Sequence, residues 1–215
     1  MMTGRRLLLL LPLAVAACGR NREAPVADTP FRPDGYAWLT PLRLNVRSVE
    51  VVEAPPGPAR RTDPPAPMVP ADEVARMGRE RVLAGGMTGT ARFTVETASL
   101  VRERLGGGGM FTEPQERLTV VLRCRVEVVS DDGARQAFAE AEARQSSTRV
   151  EGNARTAAAH AREVVARAMD ELNVEFEVQV RRNLRDWLQD TVPAAPVPPE
   201  GGPNGIRRED LSQSG

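Results

Sequence analysis

Apolar and polar side chains alternate along four stretches of the chain and step at three or four residues along two others. The elements follow from these two periods. In PLRLNVRSVEVVE (41–53), Leu42, Leu44 and Val46 alternate, and then the phase shifts to Val49 and Val51. A single strand with a bulge near Arg47-Ser48 accommodates such a shift. After a Pro-rich connection, PADEVARMGRERVLAGG predicts a helix. Pro70 stands at its start, Asp72 and Glu73 lie in the first turn, and Gly85-Gly86 form its stop. Val74, Met77 and Val82 share one face of it, and the opposite face is mostly arginine.

ARFTVETASLV (91–101) alternates again and puts Ala91, Phe93, Val95 and Val101 on one side. In ERLTVVLRCRVEVV (116–129), Leu118, Val120, Leu122, Cys124, Val126 and Val128 face one way, while Thr119, Arg123, Arg125 and Glu127 face the other. Ser130-Asp131-Asp132-Gly133 then reads as a tight hairpin turn. Beyond it Ala137, Ala139, Ala141 and Ala143 recur every second residue. Their composition favours a helix; period two and the preceding turn favour a strand, which is the reading adopted. From Asn153 to about Leu188 there is no Gly or Pro, and Ala161, Val165, Ala168, Leu172, Phe176, Val180, Leu184 and Trp187 step at helical spacing. That stepping runs through VEFEVQV (174–180), whose local strand character it overrides. The expected fold is α+β: an antiparallel four-stranded sheet in the order β-α-β-β-β-α, with both helices packed on one face.

The ends are of another kind. Residues 18–40 are polar and Pro-dotted and read as a tether, spanning roughly 25 Å as a coil. Residues 191–215 are rich in Pro and Gly without an apolar period and read as a disordered tail. The domain is expected over 41–190. At the start, Arg5 and Arg6 precede a short apolar run from Leu7 to Val15, the pattern of a secretory signal over residues 1–17. Val15-Ala16-Ala17-Cys18 resembles the bacterial lipobox, which implies a lipidated Cys18 as the new first residue. Gly19 follows it where an inner-membrane retention signal would have Asp, so the expected location is the outer membrane, facing the periplasm.

Charge narrows the partners. Lys+Arg and Asp+Glu are 29 each, and every basic residue is arginine. A balanced chain without a basic run gives no case for nucleic acid. Candidate chemistry is sparse. His160 is the single histidine; with no second ligand and no nucleophile at motif spacing it reads as a surface or half-buried helix residue. Cys124 alternates with Leu122 and Val126 and reads as an inert core residue. Glu140 and Glu142 mimic a carboxylate pair, but Arg123 and Arg125 on the neighbouring strand suggest cross-strand pairing on a solvated face. LGGGGMFTEPQ (105–115) lacks the lysine and the following helix of a phosphate loop and lies between two strands, so it reads as a hairpin tip. Met110 and Phe111 on that tip are candidate partner contacts, with packing back onto the end of the core as the alternative. No catalytic residue, metal site or cofactor is expected.

Lipobox, tether, one strand, a helix, three meandering strands and a long C-terminal helix are similar in layout to the LPS-assembly lipoprotein family. They also resemble the small periplasmic lipoproteins that accompany lipid-transporting ABC systems. The likeness covers roughly residues 41–188 and rests on element order and on Val15–Cys18. It implies a non-enzymatic, lipid-anchored accessory subunit of an envelope assembly or lipid-transport system, with the outer-membrane bilayer, a membrane protein and a lipid as partners. A lipoprotein that carries a lipid between helices and sheet is the alternative; an envelope hydrolase ranks last.

Overall fold

The computed structural model describes residues 34–106 and 113–189. It contains β1 (Leu42–Leu44), β2 (Ser48–Val52), α1 (Pro70–Arg81), β3 (Val82–Ala84), β4 (Thr90–Leu105), β5 (Gln115–Val129), β6 (Gln136–Val150) and α2 (Ala154–Asn183). The α and β mixture, the two helices and a four-stranded sheet are as the sequence predicts. The sheet is mixed rather than antiparallel: its order is β2-β4-β5-β6, with β2 parallel to β4 and the other neighbours antiparallel. The reason is local. The helix between β2 and β4 carries the chain back to the end at which β2 began, and such a crossover makes the two strands parallel.

The phase shift in 41–53 is not a bulge. The chain changes sheet there, with β1 pairing β3 in a small parallel sheet while β2 joins the main one. Accordingly α1 ends at Arg81, short of Gly85-Gly86, because Val82–Ala84 is taken up by β3. The two glycines serve the corner instead. Gly85 N–H donates to Leu44 O and Gly86 N–H to Val46 O, at 2.8 and 2.9 Å. A Cβ on Gly86 would come within 2.6 Å of the Asn45 carbonyl carbon.

A true bulge lies in β4, between Val95 and Thr97. It turns Ala98 and Leu100 into the core, where both are fully buried, and moves Val101 to the other face from Phe93 and Val95. The sequence reading, which kept strict alternation through Val101, is corrected at this point. β6 is a strand as expected, with Ala139, Ala141 and Ala143 buried beneath α2. Residues 174–180 are helical within α2, whose first turn is capped by the Asn153 side chain accepting from Thr156 N–H.

Both helices pack on the same face. The Phe93 ring lies against Gly78 of α1, where a Cβ would meet it at 2.5 Å. It meets Phe176 of α2 edge-on, with centroids 5.5 Å apart. The expected tether is shorter than residues 18–40, because its C-terminal part is built into the domain. Tyr36 is 4% exposed, its N–H donates to Glu80 and its hydroxyl to Glu73 Oε2 at 2.8 Å. The tail 191–215 and the signal segment 1–17 lie outside the described residues.

Candidate functional site

The apolar stripes that face the helices do not stay apolar to the end. At the edge of the core where β4 ends and β5 begins, each stripe closes on a polar residue. Glu116 is in phase with Leu118 and Val120 on β5. Arg102 is in phase with Ala98 and Leu100 after the bulge, and Ser147 and Arg149 are in phase with the alanines of β6. From above, α2 contributes His160, one residue before Ala161 on its buried side.

These five side chains form a cluster. Glu116 and His160 are each 3% exposed. Arg102 Nη1 pairs with Glu116 Oε2. Arg102 is itself held by Asp63, which accepts its backbone N–H at 2.9 Å, and by Pro64 O at 3.2 Å from Nε. Arg149 Nε stands 3.9 Å from Glu116 Oε1, and His160 Nδ1 stands 3.6 Å from the same oxygen. On its other side, His160 Nε2 hydrogen-bonds Ser147 Oγ at 2.9 Å. Glu116 Oε1 and His160 Nδ1 have no hydrogen-bond partner, although they face each other. His160 is therefore neither on the surface nor half-buried, correcting the sequence reading, and Glu116 is a buried charge that the reading missed.

Burial acts on both groups. Alone it would raise the Glu116 carboxyl, but the Arg102 hydrogen bond and charge, joined by His160, outweigh it and hold the group below its ordinary value. His160 is held below the usual imidazole range, first by burial and then by the Arg149 charge, against the pull of Glu116. A depressed folded-state value means that the unfolded chain binds this proton first as pH falls. The stabilisation is full above the unfolded value of about 6.5 and is lost as pH drops through the lower folded value. Glu116 loses its share only further down, in the carboxylate range. The melting temperature is thus expected to fall between about pH 7.5 and pH 5.5, and His160→Gln is expected to flatten that slope. Equal slopes in the two proteins would remove His160 as the source.

The remaining candidates fall as follows. Cys124 is fully buried, and burial pushes its thiol well up, as an inert core cysteine requires. Arg125 pairs with Glu140, and Arg123 lies 3.8 Å from Glu142, so these carboxylates are cross-strand partners on the open face as expected. Arg125 also lies over the Phe138 ring at 3.9 Å. β4 and β5 pair down to Leu105 and Gln115, which makes 105–115 the connection of two adjacent antiparallel strands. Cys18, Met110 and Phe111 lie outside the described residues. Among the described residues, no group of three or more His, Cys, Asp or Glu is placed to hold a metal, and no helix is long and apolar enough to cross a membrane. A scan of the chain against protein-family models matches none, and a search of curated proteins finds no match.

Proposed function

We propose that this protein is a non-enzymatic accessory subunit of an envelope assembly or lipid-transport system, held on the outer membrane by a lipid on Cys18 and facing the periplasm. The observation that carries the reading is Val15-Ala16-Ala17-Cys18 closing an apolar run behind Arg5-Arg6. The architecture supports it by what it offers a partner. One sheet face is sealed by the helices. The other bears matched Arg and Glu side chains, and Met110 and Phe111 fall in the sequence between β4 and β5. The lipid-carrying alternative has less support, since the space between α1 and β4 is filled to contact by Gly78 and Phe93.

Cys18→Ser tests the anchor. The variant is expected to accumulate as precursor or to become soluble in the periplasm; unchanged fractionation with outer membrane would end the reading. Met110→Ser with Phe111→Ser, compared with wild type in a crosslinking pull-down from the envelope, tests the tip as the contact. Reduced recovery of partners at unchanged melting temperature is the expected result, and earlier melting would place both side chains in the core.

One observation favours a second reading. Ser147, His160 and Glu116 stand in the order of a hydrolase triad: nucleophile, base and carboxylate. In that chemistry Ser147 Oγ would attack an ester carbonyl and give its proton to His160 Nε2, which would pass it to the departing alcohol as the C–O ester bond breaks and the acyl-serine forms. Against it, Glu116 is already paired with Arg102, and His160 Nδ1 makes no hydrogen bond to it. Hydrolysis of a simple aryl ester that Ser147→Ala abolishes would establish this reading; equal background rates dismiss it.

A further inference from the structure

β6 is an outer strand of the main sheet, and its 15 residues pair with β5 without a break in register. At one end Ser130 N–H donates to Arg135 O, and at the other Glu151 N–H donates to Pro114 O. Hydrogen-bonded pairs alternate along an antiparallel ladder. The odd-numbered residues of β6 therefore direct their backbone groups to β5. The even-numbered residues, from Gln136 to Val150, turn N–H and C=O to the other edge, which no strand among the described residues covers.

Long edges of this kind are normally blunted by proline, a bulge or a covering segment. The far side of β4 is treated that way: β2 covers one part of it, and further along Arg61 O and Asp63 N–H bond Leu100. β6 has no proline, no glycine and no bulge.

The even-numbered side chains lie on the open face and include Phe138, Glu140, Glu142, Arg144, Ser146 and Thr148. Consider β6 paired antiparallel with β6 of a second copy. Only registers that set even against even residues satisfy the free backbone groups. With the dyad at Ala143, Glu142 faces Arg144 of the second copy and Arg144 faces its Glu142, while Glu140 faces Ser146. Moving the dyad to Glu142 or Arg144 sets like charges directly opposite, and moving it to Ala141 sets Glu140 against Glu142 twice. Opposed charges across a strand pair attract and like charges repel. Ala143 is also the middle residue of Gln136–Val150, so the register preferred by charge is the one that uses the strand along its whole length.

We propose that the protein dimerises through β6, antiparallel about a dyad at Ala143. The two four-stranded sheets become one, and the two charged open faces become a single surface. The test is the mass of the full chain in detergent solution, by sedimentation. Wild type is expected as a dimer. Glu142→Arg and Arg144→Glu alone each create like-charge pairs and are expected to weaken association about tenfold or more. Mixing these two variants, or combining both changes in one chain, restores opposite charges and is expected to restore the dimer. Ser146→Pro removes an N–H that points to that edge, together with the exposed Ser146 Oγ–Thr119 Oγ1 contact at 3.3 Å, so it should give folded monomers that melt cooperatively, as wild type does when diluted to monomer. A monomeric wild type overturns the proposal, and one that dimerises only after truncation behind Gln189 shows the edge covered by the chain's own tail. A dimer indifferent to all these changes overturns it too, since another surface then holds the copies together.

Discussion

Arg81→Ala is expected to lower the stability of the domain by about 3 kcal/mol, the lower end of what breaking a buried ion pair costs. The side chain is 1% exposed at the end of α1. Its guanidinium donates to Asn173 Oδ1 at 3.1 Å, to Asn173 O and Thr40 O at 3.2 Å each, and to Glu177 Oε2 at 2.6 Å. One group thus ties α1 to α2 and to Thr40, two residues ahead of β1. Alanine removes every one of these bonds and leaves a void where the guanidinium was. The cost stays near the lower limit for a specific reason: Glu177 is 31% exposed and keeps Arg181 at 2.9 Å, so its charge is not stranded. Arg81→Lys keeps a charge but cannot span four acceptors in a fixed fork, so it should recover only part of the loss. Urea denaturation reads both variants. A midpoint within experimental error of wild type for Arg81→Ala would mean that α1 and α2 are held together without it.

Arg81 also shows what the sequence conceals. Val74, Met77, Gly78 and Arg81 are spaced as one helical stripe, and all four are buried. Position was legible; the charge made the residue look like part of the solvated face. Glu116 and His160 were hidden in the same way, each in step with an apolar stripe and each paired to residues on other elements. Periodicity places a side chain on a face, but it does not say whether a partner waits there. The strand identity of β6 and the helical identity of 174–180 were legible because the period persisted over many residues against local propensity. The two strands within 41–53 were not, since a phase shift has two physical causes, a bulge and a change of sheet, and the pattern is the same for both. The parallel β2–β4 pair was implicit in the strand, helix, strand order and follows from crossover geometry rather than from any residue.

Cys124→Asp carries the largest expected effect, because it places a carboxyl at a fully buried position whose strand neighbours, Val95 and Ala141, are apolar. Cys124 lies mid-strand in β5, opposite Val95 and Ala141, and is 0% exposed. The thiol already shows what the site does to ionisation, since burial first, and then the Glu96 charge, push it well above the ordinary value. A carboxyl there would stay protonated far above its usual range, and at pH 7 the cost of holding or ionising it is about 4–7 kcal/mol. A domain has only about 5–15 kcal/mol in all, so the variant is expected at the edge of unfolding at neutral pH. The sign of the pH dependence is diagnostic. A carboxyl raised in the folded state is least damaging below the unfolded value of about 3.9, and the loss grows as pH rises from there toward the folded value. The variant should therefore lose more stability, relative to wild type, at about pH 7.5 than at about pH 4.5. Cys124→Val, close in volume and apolar, should cost less than about 1.5 kcal/mol at both. A Cys124→Asp protein melting within a degree or two of wild type, or one whose deficit is flat with pH, would take β5 out of the core and the helix-covered face with it.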